Sequence, residues 1–242
     1  MVCQLERYNT CVAINERLKT GSGWEGLIIG KWREAAISPS LPGNLYEITR
    51  AIDDENNVWA IKTLRPDAIL KYPSNPDLEN IFEEHMREHT LFMRYLSEFI
   101  PPTCFYTDGE SNPTRFVVVQ PWIQFGVQYK EAIANKRHIP SEQLPPLTER
   151  IRFVKCITFL FRDPDVYPKI ADMDFFIAPK NGETSIVMID TNFLWFPKHA
   201  NDGRKITNSL SNFLFTEKEL NSKEIKELIN DLEKSMHCNQ IY

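Results

Sequence analysis

Three strand-like runs crowd into residues 35–64 of this chain, and their spacing limits what can be built on them. Residues 35–38 form the first run, 45–52 the second and 58–64 the third. The second alternates Leu45, Glu47 and Thr49 against Tyr46, Ile48 and Arg50, the two-residue period of a half-buried strand. Between them lie only the turn at 38–44 (Ser-Pro-Ser-Leu-Pro-Gly-Asn) and the polar connector at 53–57. Short polar turns join antiparallel neighbours, so the three runs make an antiparallel meander.

A helix follows. Asn75 is a good N-cap, Pro76 suits the first helical position and Asp77 complements the helix dipole. Leu78, Ile81, Phe82, His85, Phe92, Tyr95 and Leu96 recur at three- and four-residue steps, which carries the helix to about Phe99, where Pro101-Pro102 stops it. Two further strands, 103–107 and 114–119, flank Asp108-Gly109. Tyr46, Trp59, Phe92, Phe105 and Phe116 are the expected core of this half.

The second half reads differently. Residues 127–137 suggest a short helix, 140–146 a proline-rich loop, and Leu147, Ile151, Val154, Thr158 and Phe161 a solid helix. Residues 174–178 and 185–189 flank Asn181-Gly182, the strongest short-range hairpin signal in the chain. A long irregular stretch is expected beyond Asp190, then a charged helix over 217–234. Strands bunch early and helices late, the pattern of an α+β chain in two lobes. The expected division is a helical extension at 1–32, a first lobe at 33–121 and a second at 122–242.

Composition narrows the function classes. The 242 residues are 42% apolar and 25% charged, with a net charge of −5. A mildly acidic chain argues against nucleic acid as a partner, and no run of 18 apolar residues offers a membrane span. Cys3, Cys11, Cys104, Cys156 and Cys238 never fall in C-x-x-C spacing. They read as reduced packing thiols of a cytoplasmic protein.

Three residues stand out chemically. Lys62 shares a strand face with Ala60 and Leu64, where an ammonium needs an anionic partner. Glu88 supplies one: it lies along the apolar side of its helix, three residues from His85 and four from Phe92. Asp190 ends the apolar run Ile186-Val187-Met188-Ile189, a strand-end position suited to a metal-bound phosphate. A rival motif overlaps: His85-Met86-Arg87-Glu88-His89 matches H-x-x-E-H, an inverted zinc-protease motif, with Glu149 as the candidate third ligand.

Val58-Trp59-Ala60-Ile61-Lys62, the helix with Glu88, and Met188-Ile189-Asp190-Thr191-Asn192 together resemble the protein-kinase-like superfamily over residues 33–195. The resemblance implies a two-lobed kinase-like fold, with an antiparallel five-stranded N-lobe and a reduced helical C-lobe. It implies Mg-ATP-dependent phosphoryl transfer to a protein hydroxyl or a small molecule. Lys62 would contact the phosphates, Glu88 would orient Lys62, Gln120 and Trp122 would lie where adenine is held, and Asp190 would bind magnesium. Two registers compete for the catalytic loop. In one, Asp172, eighteen residues before Asp190, is the catalytic aspartate. In the other, Asp174 becomes a second metal ligand and Lys169 replaces the aspartate.

The departures matter too. The phosphate loop offers only Gly43, and Pro39 and Pro42 remove two backbone donors. No A-P-E segment is visible, and about 50 residues follow Asp190. This economy is closer to small bacterial or phage kinase-like proteins, and it keeps open a catalytically impaired pseudokinase that binds nucleotide or a partner.

Overall fold

The computed structural model describes residues 33–38, 46–52, 58–65, 67, 77–107, 116–123, 126–135, 139–163, 175–180, 182–188 and 203–237. Five strands make the first sheet: β1 (Arg33–Ser38), β2 (Tyr46–Ile52), β3 (Val58–Leu64), β4 (Cys104–Thr107) and β5 (Phe116–Pro121). Their order is β1-β2-β3-β5-β4, with every neighbouring pair antiparallel. The central position of β3 and β5 follows from their sequences. Trp59, Ile61 and Leu64 on β3 and the unbroken run from Phe116 to Val119 on β5 are buried, as strands covered on both faces are.

Helix α1 (Leu78–Leu96) connects β3 to β4. Its cap is Asp77, whose Oδ1 accepts the Asn80 backbone N–H at 2.8 Å. Asn75 was the expected cap; Asp77 places its carboxylate three residues before a free helical N–H, and the helix starts there instead.

The chain divides into two compact units, Met1–Met86 with Pro101–Ile123, and Arg87–Ile100 with Gln124–Tyr242. The second unit contains β6 (Val127–Gln128), α2 (Tyr129–Ala134), α3 (Leu147–Arg162), β7 (Phe176–Lys180), β8 (Glu183–Val187), α4 (Gly203–Leu214), α5 (Glu217–Leu220) and α6 (Lys223–His237). A three-stranded antiparallel sheet, β6-β7-β8, sits among these helices. Its hairpin turns at Gly182, whose φ of 85° explains the glycine. The core gathers Phe153 and Ile157 of α3, Phe175, Ile186 and Met188 beside the hairpin, Leu210 and Phe213 of α4, and Leu228 and Leu232 of α6. Phe92 belongs to this core, not to the aromatic cluster of the five-stranded sheet as its sequence neighbours suggested.

Other elements depart from expectation. Residues 127–137 give a two-residue strand before their helix, and the loop before α3 holds a 3-10 turn at Ser141–Gln143. The stretch expected to be irregular contains α4, and the terminal helix is two. Thr216 and Glu219 close a capping box on α5, and Ser222 Oγ accepts the Ile225 N–H at the start of α6.

Cys104 is disulfide-bonded. That corrects the expectation of five reduced thiols and removes the cysteines as an argument for a reducing compartment. Cys156 is a free thiol. No helix among the described residues is long and apolar enough to cross a membrane.

Candidate functional site

Lys62 lies on β3 opposite Ile48 of β2 and Val118 of β5. Two residues back, Ala60 lies opposite Arg50 and Gln120. Opposed residues of antiparallel strands project to one side, as do residues two apart along a strand. One face of the sheet therefore carries Arg50, Ala60, Lys62, Gln120 and, at its far end, Phe116.

The first half of helix α1 packs on the Phe116 end of that face. Phe116 meets Phe82 edge-on at 5.6 Å between centroids and His85 at 5.0 Å. Tyr46, opposite Leu64 on the same face, shares a 2.9 Å hydrogen bond between its hydroxyl and His85 Nδ1. Burial lowers the His85 pKa to about 3 and that of His89 to about 4, so both imidazoles are neutral at pH 7. Glu88 follows His85 by one helical turn and is 0% exposed. Neither Lys62 nor Glu88 is without a partner.

The other end of the face is polar. Gln120 is 2% exposed, and its Nε2 donates to Thr103 Oγ1 at 2.9 Å. Thr103 Oγ1 in turn donates to the Pro101 carbonyl at 2.9 Å. Gln120 Oε1 and Arg50 Nε are buried and find no hydrogen-bond partner among the described residues. The Arg50 guanidinium carbon lies 5.7 Å from the centroid of the Trp122 ring. The Trp122 N–H donates to the Val58 carbonyl at 2.9 Å, extending the β3–β5 ladder past its last residue pair.

Of the residues singled out from sequence, Lys62, Gln120 and Trp122 come together on adjoining strands, and Glu88 lies on α1. Gly43, Lys169, Asp172, Asp174 and Asp190 lie outside the described residues. Arg50 and Thr103 were missed. Arg50 carried a signal, a charge on the same alternation parity as Tyr46 and Ile48. Thr103, between Pro-Pro and a strand, carried none.

In the H-x-x-E-H segment, His85 is engaged by Tyr46 and Phe116. Glu149 Oε1 accepts the Ser185 hydroxyl at 2.8 Å and the Ile186 N–H at 2.7 Å, which blunts the free edge of β8. Among the described residues no group of three or more His, Cys, Asp or Glu side chains is placed to hold a metal ion.

Protein-kinase and pseudokinase domains are among the solved structures to which the chain is similar. A double mutant of the PknI kinase domain of Mycobacterium tuberculosis matches over 85% of this chain and 87% of its own, at 10% identity and a TM-score of 0.49. Rad53 in complex with AMP-PNP matches over 91% of this chain and 55% of its own, at 12% identity and a TM-score of 0.44. The pseudokinase DRIK1, bound to ENMD-2076, matches over 84% of this chain and 75% of its own, at 12% identity and a TM-score of 0.42. No protein-family model matches the sequence, and no curated protein is similar to it.

Proposed function

We propose that this chain is a small kinase-like phosphotransferase that binds Mg-ATP on the Lys62 face of its five-stranded sheet. The observation that supports the reading is the buried carboxylate of Glu88 on α1, a helix whose first half packs on the Phe116 end of the face that presents Lys62. A carboxylate is held in an apolar interior when a cation pairs with it. A lysine so oriented is a fixed positive charge for the α- and β-phosphates. In this reading Glu88 would orient Lys62, Gln120 and Trp122 would border the base, and Asp190 would hold the magnesium ion, with Asp174 as a second metal ligand or Asp172 as the base. The ion supplies charge neutralisation at the phosphates. The acceptor oxygen bonds the γ-phosphorus as the bond to the bridging oxygen breaks. ADP leaves, and in the register that makes Asp172 the base, Asp172 takes the hydroxyl proton.

A second reading is a nucleotide- or partner-binding regulator without transfer. It is favoured by Pro39 and Pro42, which remove two backbone donors from the turn before β2.

Calorimetric titration of ATP, with and without magnesium, separates these from no binding at all. The proposal expects metal-dependent binding by the wild type that Asp190→Ala abolishes and Lys62→Met weakens about tenfold or more. Transfer of labelled γ-phosphate to added protein or small-molecule hydroxyls then distinguishes transferase from regulator. No ATP binding by the pure, folded wild type overturns the nucleotide reading.

A further inference from the structure

Gln120 is a buried amide whose two ends are not equivalent, and its neighbours decide which end faces which way. The Pro101 carbonyl can only accept a hydrogen bond. Thr103 has one hydroxyl hydrogen, and it goes to Pro101 O at 2.9 Å. Toward Gln120, Thr103 Oγ1 can therefore only accept, so the atom facing it at 2.9 Å must be Nε2. The relay from Nε2 through Thr103 Oγ1 to Pro101 O locks the amide, with Oε1 presented away from Thr103. That oxygen is buried with no partner among the described residues. A buried acceptor left open costs about 1–3 kcal/mol, so it is informative where it persists. A second buried polar atom without a partner among the described residues, Arg50 Nε, lies on the same sheet face, and both residues sit opposite Ala60.

We infer that Gln120 Oε1 is a specificity element that reads a hydrogen-bond donor on the bound base, with Thr103 as its positioning residue. This inference rests on the nucleotide-binding reading above. An acceptor-only group selects a 6-amino purine, whose exocyclic N–H points at it, over a 6-oxo purine, whose oxygen would face it acceptor to acceptor. The selectivity comes from side chains here, and its sign is set three residues into the relay, at a proline that has no choice of role.

The test compares ATP with inosine triphosphate, which differs in carrying a 6-oxo group, by calorimetry with magnesium. Wild type is expected to bind ATP about tenfold or more tightly than inosine triphosphate, the worth of one buried hydrogen bond. Thr103→Val frees the amide to flip and present Nε2 to the oxo group, so the preference collapses toward one while ATP still binds. Gln120→Leu removes the preference by removing both ends of the amide. Circular dichroism establishes that each variant is folded, and the wild-type preference needs no variant. Equal binding of the two nucleotides by wild type, or a preference that survives Thr103→Val and Gln120→Leu, overturns the inference and leaves nucleotide binding standing. Binding of neither nucleotide overturns both.

Discussion

The Arg150 and Asp163 networks and the β2–β3–β5 face treat buried polar groups in opposite ways. In the networks they are paired closely. Arg150, its side chain 7% exposed, donates Nε to the Pro145 carbonyl at 2.7 Å and Nη1 to the Leu214 carbonyl at 2.6 Å. It also makes a two-pronged bond to Glu219, at 2.8 and 2.9 Å. Asp163 accepts from Tyr95 at 2.6 Å and Arg94 at 3.1 Å. On the β2–β3–β5 face, Gln120 Oε1 and Arg50 Nε are buried without such partners among the described residues. An arrangement that satisfies its polar atoms internally is a scaffold. One that holds buried donors and acceptors in reserve gives up stability where a ligand can repay it.

The largest break in this contrast comes from Arg150. Arg150→Met leaves two carbonyls without their Arg150 donor and Glu219 with only its Thr216 bonds, and should cost about 3–5 kcal/mol in urea unfolding. A loss below about 1 kcal/mol would show that the network is incidental.

Acid should dissect the contrast next. His85 is neutral when folded, its pKa held near 3 by burial against 6.5 unfolded. The unfolded chain binds the extra proton, so this contribution is complete above pH 6.5 and is lost as pH falls toward 3. His89, lowered to about 4, acts in the same direction. Glu219 is held near 2 by the Arg150 hydrogen bonds and the Thr216 cap. Its contribution is complete above pH 4.5 and is lost as pH falls toward 2. Unfolding free energies at pH 7, 5.5 and 3.5 should therefore decline throughout, with Glu219 adding to the histidines only below pH 4.5. His85→Gln should reduce the decline in both intervals, with His89 and Glu219 supplying what is left; a decline unchanged in that variant would contradict the assignment.

Smaller effects sharpen the picture. Thr216→Ala removes the capping box of α5 and should cost about 1 kcal/mol. Gln120→Leu should do the reverse of Arg150→Met. Without nucleotide it should be neutral or stabilise by up to about 1 kcal/mol, because it deletes an acceptor that the free protein leaves open. Destabilisation beyond 1 kcal/mol would mean that the acceptor is satisfied.

Local signals made much of this legible. The strand alternation around β2, the apolar spacing of α1 and the Asn181-Gly182 turn all act over a few residues, and each led to its element. Features set by distant partners were not legible. Helix α4 carries Thr207, Asn208, Ser209, Ser211 and Asn212, poor helix formers, and its helical spacing of Ile206, Leu210, Phe213 and Leu214 went unread among them. It forms because Leu210, Phe213 and Leu214 reach the core, while the Ser211 hydroxyl donates back to the Thr207 carbonyl at 2.7 Å. Phe92 has the spacing of its helix neighbours, and only the tertiary fold assigns it to the Phe153 core. At the candidate site, Lys62 and Glu88 drew attention because charge on an apolar face is a local anomaly. The Gln120–Thr103–Pro101 relay spans strands and had no such signature.

Hydrogen exchange with and without Mg-ATP tests the central claim directly, since it reads both units in one experiment. The account predicts added protection in peptides covering β3 and β5, including Ala60, Lys62 and Gln120, with smaller changes in α3 and α6. No added protection in β3 and β5 at saturating nucleotide, or protection centred on the Arg150 network, would contradict it.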